Sequence, residues 1–337
     1  MREFVVMVGL SGSGKSYQAF NLAEYFHMSS PKYDGWGRAD VVEIISSDSI
    51  REEILGDVND QTQNDLVFKE VHNRIRRALL NHYHVIVDAT NINIKNRKSI
   101  LECFNCLSDD DKKNYWKVAY VMTTPVSICK TQNKKRQRIV PDYVIDKQLG
   151  KFEIPFFEEG FNDIILHNWE YLWAEYGNFN GAKKQDIEVV TKMMTDFNQR
   201  TRHHKYTLDV HCQKLKEEIE KRTDDKVLIR TALIHDIGKL FTGKLKDDGS
   251  NDYCYYSHHN VGAYSLLQNL DKVAFRDKGS TLDLLFYVNY HMQPFFMTSE
   301  KSKNKWKNIF GEKKYNSLIM FNECDKIASG VDEFVIL

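Results

Sequence analysis

The chain begins with an apolar run that leads directly into a glycine-rich segment, and this pair of features limits the fold more than any other. The run is Phe4–Gly9, and the segment Gly9–Ser16 has the letters GLSGSGKS. A helical pattern follows over Tyr17–Phe26. A buried strand, a glycine-rich turn and a helix in this order are the context in which G-x-x-x-x-G-K-[S/T], the P-loop, binds nucleotide phosphates. We expect Lys15 to reach the β- and γ-phosphates and the Ser16 hydroxyl to bind Mg²⁺. The rest of the phosphate site would be Gly9, Ser11, Gly12, Ser13 and Gly14.

Composition limits the class of protein. A length of 337 residues suggests about two domains, and 47 basic residues balance 47 acidic ones. No overall basic field would therefore draw the chain to nucleic acid. The six cysteines are scattered, and the close pair Cys103 and Cys106 lacks the partners that a zinc site needs. This cysteine usage fits a reducing cytoplasm, which would be the host's if a phage encodes the protein. The short N-terminal apolar run is a strand rather than a signal peptide, and no segment has the length of a membrane span.

Strands and helices alternate in the first half. Short apolar runs predict further strands over Val41–Ile45, Val85–Val87, Trp116–Met122 and Asp163–Leu166. Gln61–Asn81 predicts a helix because its apolar residues recur at four-residue spacing. A loop with two glycines is expected over His27–Asp40. Strands separated by helices predict a parallel sheet, which places the P-loop at the edge where such sheets bind ligands.

Clear strand patterns end near residue 168, and the second half is predicted to be helical. The candidate helices are Asp186–Asn198, Val210–Lys221, Val227–Leu240 and Leu282–His291. The polar segment Gly177–Lys184, which contains two glycines, predicts the joint. We therefore expect an α/β domain over residues 1–168, a linker over 169–194 and an all-α domain over 195–337.

A carboxylate and an arginine follow the second predicted strand, in the segment SSDSIR. At the edge of the sheet, Asp48 could accept a proton from an attacking hydroxyl. Arg51 could hold an acceptor phosphate through a bidentate contact. The alternative is an ordinary helix start, with Asp48 as the N-cap and an exposed arginine.

Two further features fall near the same edge. Asp88 ends the third predicted strand and could bind Mg²⁺ opposite Ser16. The basic run Lys130–Arg138 predicts a helical lid that stabilises charge on a transferring phosphoryl group, with Arg136 and Arg138 as the best candidates. The alternative is a solvated charged face.

These motifs together resemble the kinase module of the bacteriophage and animal polynucleotide kinases. The resemblance covers about residues 1–168. It rests on GLSGSGKS, SSDSIR, VIVDATN, the basic run before Val140–Pro141, and the ending KFEIPFFEEGFNDI that starts at Lys151.

The resemblance implies a role for each matched residue. Lys15 and Ser16 would bind the donor phosphates and Mg²⁺, and Asp48 would be the general base that activates a 5′-hydroxyl. Arg51 would contact the phosphate of the acceptor. The lid arginine would be Arg136 or Arg138, and the spacing does not choose between them.

The second half contains histidines and aspartates that suggest a metal centre. His235 and Asp236 are adjacent within an apolar helical pattern, where burying both is costly unless they pair or bind a metal. Imidazole and carboxylate together suit Fe, Mn, Zn, Co or Ni. The complete candidate set is His211, His235, Asp236, His258, His291 and Asp325.

The segments around these residues resemble the HD metal-dependent phosphohydrolase superfamily over about residues 195–337. The resemblance rests on HHKYTLDVHC, ALIHDIGK, YSHHNVGA, YHMQPF and the late Cys-Asp pair. Together with the resemblance of the first half, it implies an α/β P-loop kinase domain followed by an all-α HD domain. Members of the superfamily that bind a single metal have four ligands. The six candidates here suggest two divalent transition metals rather than one.

Three neighbouring residues have less defined roles. Lys239 would hold a substrate phosphate. His258 and His259 compete for one ligand position, and the spacing to the Gly-Ala pair favours His258. His204 either contacts substrate or is exposed.

Together the two halves predict a bifunctional enzyme for broken nucleic-acid ends. The kinase module would transfer the γ-phosphate of ATP or another NTP to a 5′-hydroxyl of RNA or DNA. The HD module would remove a 2′,3′-cyclic phosphate or a 3′-phosphate, because strand breakage leaves both ends and a ligase needs both repaired. We expect nucleotide and RNA or DNA ends as partners, a handoff to a ligase, and no membrane, with self-association left open. Two rivals are a nucleoside or small-molecule kinase fused to a nucleotide phosphohydrolase, and a non-enzymatic P-loop switch.

Overall fold

The chain divides into two compact units. The computed structural model describes residues 1–29, 41–167 and 181–331. One unit comprises Met1–Gln148 and Glu159–Trp169, and the other comprises Leu149–Glu158 and Glu170–Leu337. Of the predicted loop His27–Asp40 and the predicted joint Gly177–Lys184, residues 30–40 and 177–180 lie outside the described residues.

A parallel sheet of five strands forms the centre of the first unit. The strands are β1 (Arg2–Val8), β2 (Val42–Ser46), β3 (His84–Asp88), β4 (Tyr115–Val121) and β5 (Asp163–Leu166). Their order across the sheet is β2-β3-β1-β4-β5, and every adjacent pair is parallel. From Phe4 to Val8 the central strand β1 is buried and apolar without alternation, as is typical of a parallel sheet covered on both faces. The predicted parallel sheet is therefore confirmed.

Helices occupy the connections between these strands. They are α1 (Lys15–Ser29), α2 (Ser47–Leu55), α3 (Asn64–Leu80), α4 (Ile94–Leu101), α5 (Asp109–Lys113), α6 (Val126–Asn133) and α7 (Asp142–Leu149). Helix α3 begins three residues later than predicted, but it has the expected apolar face. That face is buried at Val67, Val71 and Ile75. It packs against β2 and β3, so the opposite face of α3 is directed to solvent.

The basic run Lys130–Arg138 is helical only in its first part, which corrects the prediction of a helical lid. Helix α6 ends at Asn133, and residues 134–140, here called the lid loop, form turns and bends. The buried Asn133 side chain donates to the Val140 carbonyl oxygen (2.6 Å) and accepts from the Val140 N–H (3.1 Å). These two bonds connect the last residue of α6 to the end of the lid loop, so the chain turns back after Asn133 and the helix does not continue.

The second unit is helical, as predicted, apart from one short hairpin. Its helices are α8 (Lys184–Lys192), α9 (Leu208–Glu220), α10 (Lys226–Ile234), α11 (Lys239–Thr242), α12 (His258–Leu267), α13 (Leu270–Val273), α14 (Lys278–Tyr290) and α15 (Glu300–Ala328). The hairpin pairs β6 (Lys244–Leu245) with β7 (Tyr253–Cys254). Helix α8 lies within the predicted linker and packs against α10 and α13. No helix in the described ranges is both long and apolar enough to cross a membrane.

The predicted helix Val227–Leu240 is interrupted at residues 235–238. Helix α10 ends at Ile234, and the N–H groups of Ile237 and Lys239 bond to carbonyl oxygens three residues back, at 3.2 and 2.9 Å. A β-carbon at Gly238 would overlap the carbonyl oxygen of His258, so glycine allows α12 to approach this turn closely. His235 and Asp236 therefore lie just past the end of α10, and not inside a helix as expected.

The segment Leu149–Glu158 packs within the second unit. The Ile154 N–H donates to the Asn289 side-chain oxygen (2.7 Å), and the Asn289 amide donates to the Phe152 carbonyl oxygen (3.1 Å). The ring of Phe156 lies edge-on to that of Phe286, with centroids 5.0 Å apart. The ending KFEIPFFEEGFNDI is thus divided, since its first eight residues group with the helices and the remainder with the sheet.

A buried ion pair joins α4 to the second part of that ending. Arg97 is fully buried and donates to both carboxylate oxygens of Glu159, each at 2.7 Å. Its guanidinium also donates to the Asn91 carbonyl oxygen at 3.2 Å. Asn91 has a φ of 46° and donates from its side chain to the carbonyl oxygen of Met7 in β1 (2.8 Å). The pair therefore supports the backbone that follows β3.

Replacing Arg97 with methionine should lower the free energy of unfolding of the first unit by about 3–5 kcal/mol, because the buried Glu159 carboxylate loses both of its hydrogen bonds from the guanidinium. Hydrogen exchange of the β1 and β3 amides measures this change, since two units need not unfold together. Arg74→Met is the matched control, because Arg74 pairs with Glu53 and Glu70 at the surface and should cost less than about 1 kcal/mol. Equal effects of the two substitutions would contradict the prediction.

Candidate active sites

A cavity of about 1000 Å³ opens at the carboxyl edge of the sheet. A volume of this size lies at the upper end of the range for ligand pockets. Gly9 and Ser13 do not line it, and their N–H groups bond to the carbonyl oxygens of Thr90 (3.0 Å) and Leu10 (3.1 Å). The predicted kinase residues that do line it are Ser11, Gly12, Gly14, Lys15, Ser16, Asp48, Arg51, Asp88, Arg136 and Arg138.

The P-loop has the backbone geometry of a phosphate cradle. Gly12 and Gly14 have φ values of 79° and 91°, which glycine adopts at no steric cost. A β-carbon at Gly12 would overlap the carbonyl oxygen of Cys129. Lys15 is buried and donates to the Leu10 carbonyl oxygen at 2.8 Å. Burial lowers the pKa of Lys15 to about 8, and the nearby Asp88 carboxylate opposes that shift.

Gln148 holds the P-loop from the end of α7. Its side-chain oxygen accepts from the Ser11 N–H (2.8 Å), and its amide donates to the Ser11 hydroxyl (3.0 Å). Sequence reasoning missed this residue because 137 positions separate the partners and no motif marks either end. Gln148 also lines the cavity, so we expect it to position the loop for phosphate.

Replacing Gln148 with leucine should raise the Kd for ATP by about 30-fold, because two hydrogen bonds of about 1 kcal/mol each are lost and about 1.4 kcal/mol is a tenfold change. Lys147→Ala, at an exposed position of the same helix, should leave the Kd unchanged. Isothermal titration of ATP and Mg²⁺ into each variant measures the difference. Tighter binding by Gln148→Leu would mean instead that the glutamine competes with phosphate for the Ser11 N–H.

Asp48 faces the cavity from the first turn of α2. The N-cap of this helix is Ser46, whose hydroxyl accepts from the Ser49 N–H. Because Ser46 fills that role, the alternative interpretation of Asp48 as the N-cap is wrong. The Asp48 side chain is 31% exposed, which leaves its carboxylate open to other partners.

The lid loop supplies two of these partners. Arg138 Nη1 contacts one oxygen of Asp48, and Arg136 Nη2 lies 3.3 Å from the other. The structure thus places both candidate lid arginines on the same carboxylate, 88 and 90 residues away in sequence. A solvated charged face, the alternative for this part of the run, does not describe Arg138, whose side chain is 20% exposed.

The side chain of Arg51 is buried, unlike that of a surface arginine. Its guanidinium donates to the Asp60 carbonyl oxygen (2.9 Å) and the Asn64 side-chain oxygen (2.6 Å). Its Nη1 lies 3.7 Å from Asp48. Burial, followed by the cation of Arg138, lowers the pKa of Arg51. Arg51 therefore has a fixed orientation at the wall of the cavity.

A second group of candidate residues, here called the cluster, lies in the helical unit. Two of its histidines lie close to Asp325. His211 and His235 are fully buried, and their Nε2 atoms lie 3.0 and 3.6 Å from Asp325 Oδ1. The same two atoms lie 3.7 and 3.3 Å from Asp236 Oδ2. Four side chains thus converge on one point.

The other oxygen of Asp236 faces a second pair of histidines. His258 Nε2 lies 3.0 Å and His291 Nε2 3.5 Å from Asp236 Oδ1. Two groups with close ligand atoms result, and both contain Asp236. His258 is a member of the second group and His259 is not.

Hydrogen bonds set the orientation of these rings. His235, His258 and His291 place Nδ1 at 3.1, 2.7 and 2.8 Å from the carbonyl oxygens three residues back. A carbonyl oxygen accepts, so each Nδ1 donates this bond, and the Nε2 atom of each ring is left to face the carboxylate of Asp236. Burial lowers the pKa of His291 to about 4, which keeps that ring neutral. His258 Nε2 and His291 Nε2 are nevertheless 3.1 Å apart, an arrangement that a shared cation would stabilise.

Several atoms of the cluster also lack hydrogen bonds. Among the described residues, buried atoms of His211, His235, Asp236 and Asp325 have no partner in hydrogen-bonding geometry, although opposite charges lie within ion-pair distance. Buried polar atoms are normally satisfied. Their convergence on common points therefore fits divalent cations, for which imidazole nitrogen and carboxylate oxygen are suitable ligands.

Lys239 lies beside the shared carboxylate. Its Nζ is 2.5 Å from Asp236 Oδ2, 2.8 Å from the Gln199 side-chain oxygen and 3.0 Å from His204 Nε2. Burial and then the Lys239 cation hold the pKa of His204 well below its usual range, so His204 accepts this bond as a neutral ring. Gln199, which is 1% exposed, has no sequence signal and was missed.

Comparison with known proteins finds a matching family model and similar solved structures. A family model described as an AAA domain matches residues 4–155. Among solved structures, a chain in the structure of the Pnkp1/Rnl/Hen1 RNA repair complex is similar at 22% identity with a TM-score of 0.32. The alignment covers 44% of this chain and 42% of that one, so it spans less than half of either. A search of curated proteins finds no match. The family match, the parallel sheet and the P-loop together make the first half a P-loop kinase-like domain.

Proposed function

We propose that the protein transfers the γ-phosphate of ATP or another NTP to the 5′-hydroxyl ends of nucleic acids. The observation that carries the proposal is the position of Asp48, which lines the same cavity as Lys15 and the P-loop. A carboxylate at this place can accept a proton from a hydroxyl that attacks a bound phosphate. A non-enzymatic nucleotide switch would need the P-loop but not this carboxylate. The resemblance to polynucleotide kinases supports a nucleic-acid end as acceptor.

The roles of the residues follow from their positions. Lys15 and the N–H groups of the P-loop would hold the β- and γ-phosphates, and Ser16 with Asp88 would hold Mg²⁺, which neutralises phosphate charge when bound. Asp48 would take the proton as the 5′-oxygen bonds to the γ-phosphorus and the bond to the nucleoside diphosphate breaks. The ion pairs from Arg136 and Arg138 must shift for this step, and a bound triphosphate offers both arginines a stronger anionic partner.

The kinase proposal is tested with a 5′-hydroxyl oligonucleotide, γ-labelled ATP and Mg²⁺. Label should appear on the 5′ end of the oligonucleotide, and Lys15→Met should abolish it. Transfer to free nucleosides that long oligonucleotides do not inhibit would favour the rival small-molecule kinase. No transfer to any hydroxyl acceptor would overturn the proposal.

We also propose that the helical unit is an HD-type metal-dependent phosphohydrolase. Support comes from the two ligand groups that share Asp236 and from the resemblance of the surrounding segments. His211, His235, Asp236 and Asp325 would hold one divalent ion, and Asp236, His258 and His291 the other. Such ions supply Lewis-acid activation of a phosphoester. Lys239 would orient a phosphate oxygen, because its ammonium group is fixed beside Asp236.

The hydrolase proposal is tested with 2′,3′-cyclic nucleotides and 3′-phosphorylated oligonucleotides in Mn²⁺, Ni²⁺ or Co²⁺. Hydrolysis should require the metal and disappear in His235→Ala. Full activity of that variant would place the reaction elsewhere. The two activities together would heal both ends of a broken strand and deliver them to a ligase.

A further inference from the structure

A shallow depression lies beside the large cavity and continues it. It has a volume of about 310 Å³ and is lined by Asp65, Phe68, Lys69, His72 and Arg76. Asp65 and Phe68 also line the cavity that contains Asp48 and the P-loop. The two spaces therefore meet at the first turns of α3.

The lining residues follow one stripe of α3. Positions 65, 68, 69, 72 and 76 repeat at three- and four-residue spacing, which places them on one side of a helix. At 1.5 Å per residue the stripe is roughly 16 Å long. Its direction is fixed, because the neighbouring side of α3, with Val71 and Ile75, is buried against the sheet.

The stripe begins beside Arg51, the residue that would contact the phosphate of the acceptor. Arg51 Nη2 donates to the side-chain oxygen of Asn64, the first residue of α3, at 2.6 Å. Asp65 is the next residue along the chain. A molecule that places its terminal hydroxyl near Asp48 and its nearest phosphate near Arg51 would thus leave the cavity along this stripe.

The chemistry of the stripe fits single-stranded nucleic acid. Phe68 and His72 are half-buried and present flat rings. Burial and the neighbouring Arg76 lower the pKa of His72, and its Nε2 lies 3.1 Å from the Ser99 hydroxyl. Lys69 and Arg76 are exposed and, among the described residues, form no ion pair. Within the described part of the chain, Asp65 is the one carboxylate in the lining. Rings beside unpaired cations are what proteins use to stack bases and contact the backbone of a single strand.

We infer that this stripe is the path of the acceptor strand on the 3′ side of its 5′-hydroxyl end. Phe68 and His72 stack against bases, and Lys69 and Arg76 contact backbone phosphates. The inference rests on the proposed kinase function and adds the surface of α3 that a strand of several nucleotides contacts as it leaves the cavity.

The test compares two acceptors at saturating ATP: a nucleoside 3′-monophosphate and a hexanucleotide with a 5′-hydroxyl. Phe68→Ala should raise the KM for the hexanucleotide about tenfold more than it raises the KM for the mononucleotide, because Phe68 lines both spaces. The double variant Lys69→Ala, Arg76→Ala should lower the slope of log KM against log salt by about 1.4 for the hexanucleotide only. Arg77→Ala is the matched control, since Arg77 is exposed on another stripe of α3 and pairs with Glu43.

The outcomes separate the two proposals. Transfer by the wild-type protein, with variants that change neither KM or change both equally, would overturn the path and leave the kinase. No transfer to either acceptor would overturn the kinase proposal and the path with it. The lysine and arginine are exposed, so their removal tests the path even if Phe68→Ala disturbs the fold.

Discussion

Replacing Asp48 with asparagine should lower the rate of phosphoryl transfer to a 5′-hydroxyl by about 10²–10⁴-fold, because a positioned general base contributes a factor of this size. The substitution keeps the shape of the side chain and removes the group that would take the proton. Nucleotide binding should stay close to that of the wild-type protein, since Lys15 and the P-loop are unaltered. Single-turnover kinetics with bound ATP separate the two quantities.

A matched control lies on the same helix. Glu52 is exposed in α2, so Glu52→Gln removes the same charge away from the cavity and should leave the rate unchanged. A rate for Asp48→Asn within a few-fold of wild type would show that Asp48 serves only to hold Arg136 and Arg138. In that case the two arginines, and not the carboxylate, would be the residues to study next.

Replacing Asp236 with asparagine should remove divalent metal from both ligand groups, because this carboxylate belongs to each of them. Hydrolysis of a 2′,3′-cyclic nucleotide should fall more than about 100-fold, since loss of even an outer-shell partner of a metal site costs 10- to 100-fold. Metal content after dialysis, measured by mass spectrometry, gives a readout independent of activity. Kinase activity should persist.

Asp224 is an exposed carboxylate of the same unit, and Asp224→Asn should retain both metal and activity. Unchanged metal content in Asp236→Asn would mean that the histidines bind the metal without the aspartate. Metal loss with unchanged hydrolysis would separate the centre from the reaction.

The parallel sheet was predictable because its signal is local. Strand β3 is buried along its whole length, and the apolar run Val85–Val87 marks it within one residue at each end. The P-loop and Asp48 were predictable for a related reason. In a parallel sheet, residues that directly follow the strands meet at one edge, so sequence position alone places them together.

The rest depends on contacts between distant parts of the chain. The break after Ile234 is set by the approach of α12 to Gly238, which helical periodicity cannot reveal. Arg97 and Glu159 are 62 residues apart and look like surface charges in the sequence. The end of α6 is set by Asn133, whose side chain imitates a backbone partner for Val140.

The buried contact between Arg97 and Glu159 decides how the two halves can be separated for study. A fragment cut at residue 155, where the family match ends, would lack Glu159 and the edge strand β5. Arg97 would then lose the carboxylate that pairs with it while it stays buried, and β4 would have an unprotected edge open to aggregation. A soluble kinase fragment must therefore retain residues 159–166, joined to the sheet by a linker in place of the segment that packs among the helices.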